Sequence, residues 1–262
     1  MFSDATAVRP GPHGTFEVTV DPDWFQGPGQ YGGASAAMLL RAMQASAPDR
    51  PPRSLSVQFC APVPAGDHRI VVQLERAGSG TTFLSARLVA DERVVVHAMA
   101  TLGVDRSTEL DHDVVPPPDA PPADAVPPVT VVSPPFPQFL RNFEMRLASG
   151  AGPYAGRHDP RLDAWLRPLA PEPVDAALAV GLLDAMPPVA LSRARGPKRF
   201  GSVALHAQFL SPLPDPTVDP GAAWLVTVTS DLTRGGYSDQ HAELYTPDGR
   251  LAALVHQLFA VI

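Results

Sequence analysis

Between Val174 and Met186 the chain reads VDAALAVGLLDAM. Helical spacing puts Val174, Leu178 and Leu182 on one face, while Ala177, Val180 and Leu183 fill another. A helix apolar nearly all round is buried nearly all round. From Ala176 onward its one charged side chain is Asp184. A carboxylate buried there is costly unless paired or hydrogen-bonded, and the helix dipole disfavours negative charge near a C-terminus. Either Asp184 caps the helix towards solvent before Pro187-Pro188, or it is kept for acid–base chemistry.

Other reactive residue types narrow the chemistry. Gly33-Ala34-Ser35-Ala36-Ala37 has the outline of a nucleophile elbow, but that motif needs an apolar strand before it, and WFQGPGQYG is not one. The 8 histidines show no H-E-x-x-H or clustered spacing, so no metal site is expected. His206 and His256, on strand-like runs, either face solvent or satisfy the core. No glycine-rich nucleotide-binding loop is present, and no cofactor is expected. One dense basic run, Arg193, Arg195, Lys198 and Arg199, follows the apolar helix. It either contacts phosphate at a pocket mouth or is a solvated loop.

Composition bounds what surrounds these residues. The 262 residues are 45% apolar and 18% charged, enough for a substantial core. A formal charge of −7 argues against a nucleic-acid partner. Cys60 is the single cysteine, so no intrachain disulfide forms. The first residues lack a signal peptide's apolar core. No apolar run approaches the roughly 20 residues of a membrane helix. A soluble, cytoplasmic protein without a membrane partner is the expectation.

The elements that must position the chemistry follow from the pattern. Phe16, Val18 and Val20 alternate as a short strand. The glycine-rich DPDWFQGPGQYGG leads into the helix ASAAMLLRAMQASA, which stops at Pro48. Four strand-like runs follow: Arg53–Pro62, His68–Arg76, Thr82–Ala90 and Arg93–Val104. Ten prolines between Pro116 and Pro137 then mark an extended linker. After it the order returns: a strand at Phe139–Leu147, an irregular stretch Ser149–Pro173 anchored by Trp165, and the apolar helix. The last runs are Ser202–Leu210, Ala222–Asp231, Tyr237–Thr246 and Leu251–Ile262. The expected units are residues 1–104, linker 105–138 and residues 139–262.

The halves also repeat in letters. Gln58-Phe59-x-x-Pro62-x-Pro64 recurs as Gln208-Phe209-x-x-Pro212-x-Pro214. Leu39-Leu40-Arg41-Ala42-Met43 recurs as Leu182-Leu183-Asp184-Ala185-Met186, and Ala86-x-Leu88 as Ala242-x-Leu244. Three matches in the same order imply an internal duplication. A helix wrapped by an antiparallel sheet, twice over, is an α+β double hot-dog: two antiparallel sheets, each around a central helix.

With that arrangement the chain resembles the type II acyl-CoA thioesterase family, over nearly its whole length apart from the linker and residues 149–173. The resemblance implies hydrolysis of an acyl thioester, carried by coenzyme A or an acyl carrier, and an oligomer, expected as a homodimer. It also implies a water-binding Asp, Thr and Gln in the second half. Asp184 matches on the central helix, Ser202 stands where the family has Thr, and Gln257 follows D-G-x-L-x-A at the matching spacing. Tyr31-Gly32-Gly33 resembles the family's glycine pair, either donating backbone amides to an oxyanion or allowing a tight turn. In the first half Arg41 and Ala100 replace Asp184 and Gln257, so that half is expected to be silent. Two rival readings keep the fold: a dehydratase or hydratase, which would need a histidine near the central helix, and a non-catalytic acyl-binding or assembly module.

Overall fold

In the computed structural model, which describes residues 1–132, 136–196 and 198–261, eleven long strands and two helices carry the architecture. The first half holds β1 (Thr15–Val20), helix α1 (Gly32–Ser46), β2 (Pro52–Phe59), β3 (Gly66–Ala77), β4 (Thr81–Ala90) and β5 (Arg93–Gly103). The second holds β6 (Phe143–Gly150), β7 (Arg161–Pro168), helix α2 (Ala176–Asp184), β8 (Phe200–Phe209), β9 (Trp224–Thr229), β10 (Tyr237–Tyr245) and β11 (Leu251–Val261). Ile262, the expected last strand residue, lies outside the described residues, as do linker residues 133–135.

The expectation of two sheets is corrected. Strands β2 and β8 pair antiparallel, Ala204 opposite Gln58 and Gln208 opposite Ser54, and join both halves into one sheet. Its order through the long strands is β1-β3-β4-β5-β2-β8-β11-β10-β9-β7-β6. The physical reason is that each half on its own would leave an edge of unpaired N–H and C=O groups, and these two edges satisfy each other.

A second correction concerns the strand before the apolar helix. Phe139–Leu147 divides into a 3-10 turn, Gln138–Asn142, and β6, while β7 forms inside the stretch expected to be irregular. Strand β7 pairs with β9 as β1 pairs with β3, so β7 is the true counterpart of β1 and β6 is an addition. Trp165, expected to anchor a loop, lies in β7, and its indole N–H donates to the Pro121 carbonyl at 2.9 Å. The linker runs along this side of the sheet: Val129 N–H donates to Met145 O on β6 at 2.7 Å, covering that edge.

Both helices lie on the inner face of the sheet. Asp175 caps α2, accepting the Leu178 N–H at 2.8 Å, and every α2 residue is buried. The stretch Ala176–Arg193 has a mean hydropathy of 1.2 over 18 residues, which by length and composition is enough for a membrane span. Yet 83% of it is buried inside the protein, and its α-helix covers 9 residues before Pro187-Pro188 stop it. Antiparallel packing brings the start of α1 against the end of α2. A Cβ on Gly33 would lie 3.0 Å from Gly181 Cα and 2.6 Å from the Tyr31 ring, so only glycine allows this approach.

Candidate active site

Asp184 is the last residue of α2 and is 8% exposed. Its Oδ1 accepts a hydrogen bond from Gln257 Nε2 at 2.7 Å, and the same nitrogen donates to Ser202 Oγ at 3.0 Å. Three residues from a helix end and two strands thus meet at one amide. Burial drives the Asp184 carboxyl up to about 6, against the opposing pull of the Gln257 amide and the nearby Gly33 N–H. At neutral pH a group with that pKa is roughly nine-tenths ionised, which suits a general base.

Local structure explains each placement. On β11 the buried positions Val255, Gln257 and Phe259 alternate with outward ones, so Gln257 looks inward beneath α2. On β8 the inward positions are Leu205, Ala207 and Phe209, and strict alternation would turn Ser202 outward. A bulge between Ser202 and Ala204 inserts Val203 and changes the parity, bringing Ser202 to the side of Gln257.

The start of α1 completes the wall. A Cβ on Gly32 would sit 2.9 Å from Asp184 Oδ2 and 3.0 Å from the Phe59 ring. The free N–H groups of a helix N-terminus therefore face the carboxylate. Tyr31, expected to contact substrate beside the glycines, precedes α1. It is fully buried, stacked 4.1 Å from Phe139, and its hydroxyl lacks a hydrogen-bond partner among the described residues. Burial and the neighbouring carboxylates of Asp184 and Glu172 push its pKa well above the ordinary phenol value. It stays a neutral core residue.

Residues 20–103 match the model of an acyl-CoA thioesterase N-terminal domain, and residues 113–261 that of an acyl-CoA thioesterase C-terminal domain. The chain belongs to the acyl-CoA thioesterase family. It is a thioester hydrolase with a hot-dog fold. Among solved structures, a hot-dog protein of unknown function from Alicyclobacillus acidocaldarius is 28% identical, with a TM-score of 0.87 over 100% of this chain and 97% of that one. A candidate thioesterase II from Thermobifida fusca is 22% identical, TM-score 0.87, covering 100% and 97%. An acyl-CoA thioesterase II from Mycobacterium marinum is 18% identical, TM-score 0.77, covering 100% and 98%. No curated protein matches at a significant level.

The thioesterase repeats its strand registers across the two halves, and this locates the counterpart of each site residue. Ala100 lies opposite Leu55 and Leu84, as Gln257 lies opposite Leu205 and Gln240. Pro52 precedes a bulge opposite Leu102, as Ser202 precedes one opposite Phe259. Arg41 stands in the place of Asp184, and its guanidinium donates to Asp175 at 2.8 Å and Thr6 at 2.9 Å. The first half thus sets Arg41, Pro52, Leu84 and Ala100 where the second sets Asp184, Ser202, Gln240 and Gln257.

Arg193, Arg195, Lys198 and Arg199 are all exposed, in the stretch of chain between α2 and β8. Arg193 donates to the His158 carbonyl at 3.0 Å. His206 and His256 face the outer side of the sheet, His206 bonded to Ser56 at 2.8 Å, away from the inward carboxylate. Sequence reading missed Gln240, which is buried directly opposite Gln257. The signal was available: the repeat aligns it with Leu84, an apolar residue.

Proposed function

We propose that this family member hydrolyses acyl-CoA, or an acyl-carrier thioester, by direct attack of a water activated by Asp184. One observation carries the reading: a single amide nitrogen, Gln257 Nε2, holds both the Asp184 carboxylate and the Ser202 hydroxyl. Such a pair can hold one water, the carboxylate accepting a proton from it and the hydroxyl fixing its orientation. Asp184 takes a proton, the resulting hydroxide bonds to the thioester carbonyl carbon, and the carbonyl electrons move onto oxygen. Collapse of that intermediate breaks the C–S bond, and the thiolate recovers the proton from Asp184. Free acid and free thiol leave with no covalent enzyme intermediate.

The amides of Gly32 and Gly33 lie at the same wall, and in this reading the exposed Arg193, Arg195, Lys198 and Arg199 contact the phosphates of coenzyme A. In this reading the molecule is a cytoplasmic homodimer of chains with two hot-dog units, residues 1–104 and 139–262, bridged by 105–138. The dehydratase reading gains no support, because neither helix carries a histidine. The test is a panel of acyl-CoA thioesters assayed for free thiol. Release by the wild type that Asp184→Asn abolishes is the expected result. Release that survives in the folded variant would remove Asp184 from the mechanism.

A further inference from the structure

Gln240 projects from β10 to the inner face and is 2% exposed. It lies directly opposite Gln257, at a separation that brings cross-strand side chains together. Its Oε1 accepts the Val189 backbone N–H at 2.8 Å. That bond fixes the orientation of the amide, since only the oxygen can accept. The Nε2 is consequently set, buried, and without an acceptor among the described residues. A buried donor without a protein acceptor calls for a partner such as an ordered water or a bound ligand.

The duplication supplies a second, independent observation. The inward position opposite Ala100 in the first half is Leu84, while the one opposite Gln257 is Gln240. An apolar residue thus suffices for the fold at this position, and the amide appears only in the half that carries Asp184.

We infer that Gln240 Nε2 donates a hydrogen bond to the thioester carbonyl oxygen of the bound acyl substrate, a role that rests on the hydrolytic reading above. As hydroxide adds to the carbonyl carbon, the electron pair of the C=O bond moves onto that oxygen. The Gln240 N–H bond strengthens with the growing charge, and no proton is transferred through it. When the C–S bond breaks, the pair returns to the carbonyl and the thiolate takes the proton held by Asp184. Val189 acts as the clamp that keeps the donor aimed.

Two substitutions separate donation from structure. Gln240→Met removes both polar atoms at similar volume, whereas Gln240→Glu keeps the acceptor for Val189 and, when ionised, lacks the donor. Both are expected to lower kcat at least ~10-fold in the free-thiol assay at pH 8, since a single oxyanion donor is worth about 10²–10³. KM should stay within about 3-fold, the pattern of an interaction made mainly in the transition state. In an Asp184→Asn background, saturated with acyl-CoA carrying a ¹³C carbonyl, the infrared carbonyl band should lie below that of free substrate. Adding Gln240→Met should return it towards the free position, a shift that a purely structural residue would not produce.

A folded Gln240→Met with kcat near wild type, or a band that does not move, overturns the inference. Should Gln240→Met fail to fold, Gln240→Glu carries the test, and wild-type kcat in it assigns Gln240 to clamping Val189 alone. A wild type that releases no thiol from any acyl thioester removes the hydrolytic reading and this role together. Release that depends on Asp184 and not on Gln240 removes this role only.

Discussion

Asp184 carries opposing demands at the scale of one residue. Removing it from water raises its carboxyl to about 6, and the price of keeping it ionised at neutral pH is stability. Because the folded pKa lies above the unfolded one, the folded state binds the extra proton. Stability is therefore fully present below about pH 4 and falls as pH rises through about 6. A shift of this size corresponds to about 3 kcal/mol at pH 7. Chemical denaturation of the wild type and Asp184→Asn across pH 4 to 8 should show the wild type losing ground to the variant by roughly that amount; parallel curves would refute it. Activity should show the opposite trend, kcat falling as pH drops through about 6, and Asp184→Asn should cost about 10²–10⁴-fold in rate. Gln257→Ala and Ser202→Ala should each slow the reaction, yet cost little when added to Asp184→Asn, because residues holding one water act as a unit. Fully multiplicative losses in the double variants would mean separate roles.

Two helix ends make the site at the element scale, and the duplication makes its mirror. Aligning Arg41 with Asp184 puts Gly32 in register with Asp175. Gly32 packs against Asp184 at one end of the helix pair, and at the other Arg41 bonds Asp175, the cap of α2. One end thus holds a carboxylate against glycines, while the other is closed by an ion pair. Arginine stays protonated at neutral pH and cannot act as a base. Arg41→Ala should leave kcat close to wild type and lower stability by about 1 kcal/mol, since the pair is partly shielded from water. Thermal melts beside the thiol assay check both halves of that expectation, and a large loss of kcat would give Arg41 a part in the chemistry.

For the whole molecule, pairing of β2 with β8 turns the two halves into one continuous sheet, and in the proposed reading only one of them carries the chemistry. Titration with a non-hydrolysable acyl-CoA analogue should give one functional site per chain; two equal sites would contradict the silent first half. The linker covers the edge of β6 through Val129 and meets Trp165 of β7 at the Pro121 carbonyl. Elsewhere Leu74, Phe83, Met99 and Leu258 remain exposed on strands of the sheet. Light scattering should return a dimer mass, and a concentration-independent monomer would exclude it.

Periodicity and repeated letters were enough to place the helices and most long strands, because these features record local backbone preference and which face is buried. The lone acidic residue in an apolar helix drew attention to Asp184, and its resemblance to known thioesterases drew in Ser202 and Gln257. Strand β7 was not legible, since Arg161–Pro168 is buried on both sides and so lacks alternation. Tertiary structure alone joined the two sheets, because edge pairing satisfies groups far apart in the chain. It alone turned Ser202 inward, because a bulge changes parity without any mark in the residue types. It also revealed Gln240, whose neighbour Gln257 is set by register, and whose unpaired donor exists only once Val189 has taken the other end of the amide.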